Sequence, residues 1–256
     1  MVTHPDPAIL YPDIKAHGSL SAALRAVAQG RLASVPLSSP ELAPLLGATV
    51  GCTVPHREPL QISAWRHERQ WSIRGTDSFE GMALVDGTTD DLAEVAEAAR
   101  AWHDGTALSD IRRAAPFVHL TGRFEVPDLD PARLAQSEWR SLRTEAGELE
   151  YAWRPAYQAL VEAAHAEPVL RGLYPFTSHW ALRFSTTTRP RLSVVGPMLV
   201  AHDIDRYTID TSFESEGVAH FATAPEAVAA FVRQLPSDLP AVALGRRPAE
   251  PTSGRA

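Results

Sequence analysis

Residues 173–190 read LYPFTSHWALRFSTTTRP. From His179 onward, large apolar residues alternate with polar ones. Trp180, Leu182 and Phe184 take one side of an extended chain, and His179, Ala181, Arg183, Ser185 and Thr187 take the other. Period-2 alternation rich in β-branched and aromatic residues predicts a strand. The Trp-Leu-Phe side is expected to face a core. The polar side admits two readings, the wall of a site or the watered face of a sheet. His179 and Arg183, with Ala181 between them on that face, would lie about 13 Å apart along a strand, a span that one substrate can bridge. That pair suits anion binding or proton transfer. His179 and Arg183 are therefore the candidate catalytic residues. Tyr174, Thr177, Ser178, Ser185 and Thr187 are the candidate substrate contacts around them.

Upstream, the pattern is helical. PARLAQSEWRSLRTEA from Pro131 and RPAYQALVEAAHAEPVLRGLYP from Arg154 keep helix spacing, broken at Pro168 and stopped at Pro175. Downstream, RLSVVGPMLVA and RYTIDTSF return to strands. A Thr223-x-x-Glu226 box then opens a closing helix. The first half repeats this plan. LQISAWRHERQWSIRG reads as a hairpin turning at His67 to Arg69, and EGMALVDG as a further strand. TTDDLAEVAEAARAWHDG reads as a helix with a Thr88-x-x-Asp91 start and Gly105 as its stop, and TALSDIRRAAPFV as a shorter one. GSLSAALRAVAQGRL and SSPELAPLLG predict two helices near the N-terminus.

The expected architecture is α+β: antiparallel sheet or sheets with helices packed on one face, with two similar strand-strand-helix subdomains as one arrangement of them. The expected divisions are an N-terminal helical segment over 1–59, first strands and helices over 60–130, linking helices over 131–176, a second sheet with its closing helix over 177–236, and a flexible tail over 237–256.

Composition narrows function mainly by exclusion. The 256 residues carry a net charge of −7, which argues against a nucleic-acid partner, because phosphate neutralisation needs concentrated basic surface. Cys52 is the sole cysteine, so neither an intrachain disulfide nor a cysteine zinc site is expected. No run of about 18 apolar residues predicts a membrane span. No basic segment followed by an apolar run predicts a leader, and the bacterial cytoplasm is the expected location. G-x-G-x-x-G after a strand, G-x-x-x-x-G-K-[ST], H-E-x-x-H and G-x-S-x-G are all missing, so no cofactor is expected.

Three further groups have a bland reading beside a chemical one. His202, Asp203 and Asp205 carry metal-friendly side chains but fall where a hairpin must turn, and no metal is expected. Cys52 with His56 is better read as a small buried thiol than as a nucleophile pair. Trp102, Trp139, Tyr151, Trp153 and Tyr157 are expected to pack between helices, though such rings also line pockets for apolar ligands. Glu162 and His165, three apart, share a helix face with Glu167 near its end, and a surface pair is expected.

LYPFTSHWALRFSTTT followed by VVGP, with VEAAHAEP and TTDDLAEVAEAARAWHDGTALSDIRRAAPFV before it, resembles an uncharacterised family, the DUF6193 natural product biosynthesis proteins of high-GC soil bacteria. The resemblance spans about Trp65 to Pro236. It implies a setting in secondary metabolism without implying a reaction or any catalytic residue. Two functions follow as expectations. One is a cofactor-independent tailoring enzyme, a cyclase, isomerase or hydrolase working by acid/base chemistry on a small-molecule or peptide intermediate. The other is a non-catalytic binding module for a precursor peptide, carrier protein, partner enzyme or toxic product.

Overall fold

The computed structural model describes residues 5–211 and 219–246. The chain forms two compact units, Met1–Thr121 and Gly122–Ala256. Both combine antiparallel sheet with helices, so the fold class is α+β.

The first unit opens with α1 (Pro7–Leu10), α2 (Pro12–His17) and α3 (Leu20–Val27). A six-stranded antiparallel sheet follows: β1 (Leu37–Ser38), β2 (Gly47–Val50), β3 (Leu60–Ala64), β4 (Trp71–Thr76), β5 (Ala83–Thr89) and, after α4 (Leu92–His103) and α5 (Leu108–Ala114), β6 (His119–Leu120). Spatial order follows chain order. In β3 buried Leu60, Ile62 and Ala64 alternate with exposed Gln61 and Ser63. The buried side meets α4, whose Val95, Ala99 and Trp102 are wholly buried. Gly75 on β4 lets Trp102 approach the sheet, because a Cβ there would lie 2.5 Å from the indole. Asp91, rather than Thr88, caps α4 by accepting from the Ala93 amide at 2.7 Å.

SSPELAPLLG is not a helix; it holds the last residue of β1, a run of turns and the start of β2. Pro44 lacks the amide that a second helical turn would need, and its carbonyl instead accepts from the Leu20 amide. Residues 5–59 pack into the same unit as the first sheet, through α3 against β2 and α4.

The second unit begins with α6 (Pro131–Glu148), α7 (Arg154–Ala166) and α8 (Pro168–Arg171). Then come β7 (Tyr174–Ser178), β8 (Ala181–Ser185), β9 (Thr187–Pro190), β10 (Val194–Asp203), β11 (Arg206–Asp210), β12 (Ala219–Phe221), α9 (Ala224–Val232) and β13 (Ala243–Gly245). The five-stranded sheet runs β12-β11-β10-β8-β7, and β9 leaves it to pair in parallel with β13. Leu182, Phe184, Leu199, Tyr207 and Ile209 form one core with Leu160 and Val161 of α7 and Val228 and Phe231 of α9. Thr223 caps α9, as its spacing predicts. A smaller cluster of Tyr174, Phe176 and Ala135, with Leu192 and Val242 against it, covers the other sheet face. The tail expected from residue 237 thus contains a strand at 243–245, whose amides and carbonyls find partners on β9; residues 247–256 lie outside the described residues. Among the described residues no helix is long and apolar enough to cross a membrane.

Candidate functional site

The segment read as one strand from His179 is a hairpin. Ser178 pairs with Ala181, which leaves His179 and Trp180 as a two-residue loop. Both have positive φ, 52° and 66°, as a type I′ turn demands to match the twist of its strands. This corrects the geometry expected of the candidate pair. His179 stands exposed in the turn, off the alternation that carries Arg183. Trp180, expected in the core, is 37% exposed.

Arg183 lies on β8 opposite Phe176, with its guanidinium 5.7 Å from that ring. It is half-buried, and its Nε is buried without a hydrogen bond. Ser185 is wholly enclosed. Its hydroxyl donates to the Thr187 carbonyl at 2.6 Å and accepts from the amides of Thr187 and Ser193. Thr187 Oγ1 donates to the Arg191 carbonyl and accepts from the Ser193 amide, both at 2.7 Å. These two hydroxyls pin the β8–β9–β10 connection. Tyr174 is buried, while Thr177 and Ser178 are half-buried near the end of β7. The structure therefore brings Tyr174, Arg183 and Ser185 to one sheet face, apart from His179.

A concavity lies elsewhere in the same unit. Ala132, Arg133, Gln136 and Trp139 of α6, His165 of α7 and Arg171 of α8 line an open groove of about 390 Å³. Local chemistry fixes its walls. Pro131 starts α6, and Asp130 caps it by accepting from the Arg133 amide at 2.8 Å. Asp128 holds the Arg133 guanidinium at 3.0 Å. Pro168 breaks α7 from α8 and so sets Arg171 beside His165. The His165 ring meets Trp139 edge-on, with centroids 5.3 Å apart.

The groove holds one guanidinium paired with a carboxylate, that of Arg133, and one that is not, that of Arg171. It opens at the N-terminal end of an 18-residue helix, where the macrodipole favours anions. The Arg171 side chain makes no ion pair or hydrogen bond among the described residues. Burial, then the neighbouring Arg143, then Arg171 hold the His165 imidazole below its ordinary pKa, with Glu162 acting in the opposite sense. Glu162 does not pair with His165 as its spacing suggests; it takes Arg143 at 2.8 Å. Trp139 is 1% exposed, and its indole N–H is buried without a partner, a donor whose desolvation is left uncompensated. Such a groove can hold a carboxylate or phosphate and move a proton through neutral His165.

Sequence reasoning named Trp139 and His165 singly but missed the groove. The available signal was the i, i+3, i+6 spacing of Arg133, Gln136 and Trp139 on one helix face. Elsewhere, Asp203 pairs with Arg206 across the turn of the β10–β11 hairpin, and the Asp203 carboxylate accepts from the Ile204 amide. His202 bonds Thr208 at 2.8 Å. The Cys52 thiol donates to the Trp102 carbonyl at 3.0 Å. Among the described residues no three His, Cys, Asp or Glu side chains gather as metal ligands.

No curated protein and no solved structure matches the chain. Residues 133–246 match the model described as "Family of unknown function (DUF6193)", a match that takes in most of the second unit, the groove's Arg133 to Arg171 included.

Proposed function

We propose that the chain acts in natural product biosynthesis as a binding module, and that it holds an anionic intermediate, carboxylate- or phosphate-bearing, in the groove of α6, α7 and α8. The observation that carries this reading is the convergence of Arg133, His165 and Arg171 around an aromatic wall, with Arg171 lacking an acidic partner among the described residues. The setting comes from the family resemblance, and the ligand class from the charge of the groove.

Titration of the intact protein with inorganic phosphate and with short dicarboxylates, followed by tryptophan fluorescence and calorimetry, tests it. Saturable binding is expected, with Arg171→Ala weakening it by about tenfold, the loss of one charge-assisted contact. Affinity should rise as pH falls through the titration of His165, because protonation adds a cation to the groove. Equal binding by parent and Arg171→Ala would falsify the assignment.

A second reading, the cofactor-independent tailoring enzyme, draws on His165, an imidazole kept neutral between guanidinium groups and so suited to accept a proton. Mass-spectrometric turnover of an anionic intermediate, abolished in His165→Gln but retained in His179→Ala, would favour it over simple binding.

A further inference from the structure

The far end of α6 has the opposite electrostatic character. A helix C-terminus favours cations, yet the last turn of α6 holds no basic residue. Glu145 and Glu148 lie there instead, with Glu150 just beyond. The Glu145 and Glu150 carboxylates make no ion pair or hydrogen bond among the described residues. Arg123 is the cation that acts on Glu145, and it is itself paired with Glu138.

Four rings follow directly. Tyr151 stacks on Trp153 with planes 7° apart and centroids at 5.4 Å. Trp180, presented by the β7–β8 turn, meets Trp153 edge-on at 5.3 Å and Tyr157 at 5.8 Å. Tyr151 is 56% exposed and Trp180 37%, whereas Tyr157 is wholly buried and its hydroxyl lacks a partner. Burial, then the charges of Glu145 and Glu138, push the Tyr157 phenol well above its usual range. The turn that delivers Trp180 places two bulky residues at positive φ, a conformation that costs roughly 1–2 kcal/mol per residue.

We propose that this platform docks a basic segment of a partner polypeptide, with an arginine guanidinium laid on the exposed ring of Tyr151. The parallel Tyr151–Trp153 stack accepts a third planar layer, which a guanidinium supplies and an ammonium does not. The acidic rim complements its charge. The rings pack on one another and form an open surface, which suits a side chain delivered on a chain. The platform lies at the opposite end of α6 from the anion groove, with Gln136 and Glu148 roughly 18 Å apart along the helix at 1.5 Å per residue.

The test is calorimetry on the full chain with a capped peptide of alternating Arg and Gly, beside matched Lys and Glu peptides and tetramethylammonium. The Arg peptide is expected to bind most tightly, the Lys peptide more weakly and the Glu peptide not at all, with affinity falling as salt rises. Tyr151→Ala should weaken the Arg peptide about two- to fivefold, the range of an exposed cation–π contact. Tyr151→Phe should bind as the parent, and Arg171→Ala should leave this binding unchanged. Unaltered binding by both Tyr151→Ala and Trp180→Ala, each with a parental circular dichroism spectrum, overturns the proposal. So does equal binding of the Glu peptide, or tetramethylammonium binding that matches the Arg peptide.

Discussion

Glu138→Gln offers the sharpest test of how the groove is held. Glu138 sits on α6 one residue before Trp139, with its side chain 3% exposed against 13% for Arg123. The guanidinium meets it twice, Nε to Oε2 at 2.6 Å and Nη2 to Oε1 at 2.9 Å. Ser137 adds two bonds to the Phe124 backbone at 2.9 Å, so this corner anchors the helix that carries Arg133, Gln136 and Trp139. For charge centres roughly 4 Å apart, attraction at an effective dielectric of ~20 is about 4 kcal/mol. Glutamine keeps the volume but removes the charge, and it turns a donor toward the guanidinium. The expected loss is about 3 kcal/mol, near the low end for breaking a buried pair. Urea unfolding followed by tryptophan fluorescence gives the magnitude. Hydrogen exchange of peptides from 131–148 assigns it to the second unit, since the two units can unfold in separate transitions. Arg123→Met with Glu138→Leu should recover most of the loss, because the apolar pair leaves no charge stranded. A Glu138→Gln protein within ~0.5 kcal/mol of the parent would mean that the pair is hydrated in solution and does not anchor α6.

Three further outcomes are expected. Ser185→Ala removes the acceptor of the Thr187 amide and the donor to the Thr187 carbonyl, while the Ser193 amide keeps Thr187 Oγ1, and should cost about 1 kcal/mol in urea unfolding; a neutral result would release Ser185 for the ligand contact its alternation suggested. Gly75→Ala drives a Cβ to 2.5 Å from the enclosed Trp102 ring, and a loss of about 3 kcal/mol should follow from overpacking, seen as a lowered Tm. His165 and His202 are both held below the ordinary imidazole value of 6.5, chiefly by burial and next by Arg143 and Arg206 respectively. The unfolded chain therefore binds their protons first as pH falls. The stability they contribute is whole above about 6.5 and drains away as pH drops through their lower folded values. Denaturant midpoints from pH 8 to 5 should fall less steeply in His165→Gln than in the parent.

Helices were legible wherever a cap and a period agreed. LAEVAEAARAWH combines an apolar face with an aspartate ahead of it, and α4 runs over those residues. SSPELAPLLG misled because its leucines keep helix spacing while Pro44 removes a donor, and the backbone answers with turns bonded to Leu20. Strand β13 carries almost no sequence signal. Three residues of ALG pair with β9 only because the rest of the unit presents an edge there, which is tertiary context and not propensity.

The candidate pair His179 and Arg183 came apart because a turn takes His179 off the strand. A strand unbroken from His179 to Ser185 would put every odd-numbered side chain on one face. A two-residue turn at 179–180 cuts that strand short, and antiparallel pairing sets Tyr174 opposite Ser185 and Phe176 opposite Arg183. Even residues of β7 therefore share a face with odd residues of β8. Arg183 and Ser185 turn toward the cluster of Tyr174, Phe176 and Ala135, while Leu182 and Phe184 enter the larger core. Nothing local announces the turn, since Asn-Gly is the usual signal for a type I′ loop and His-Trp opposes it sterically. The pairs that join β7 to β8 impose the conformation against local preference. The same parity that encloses Ser185 swings Trp180 out to the aromatic platform. A site laid across two helices and a turn thus escaped a pattern that is read along one strand at a time.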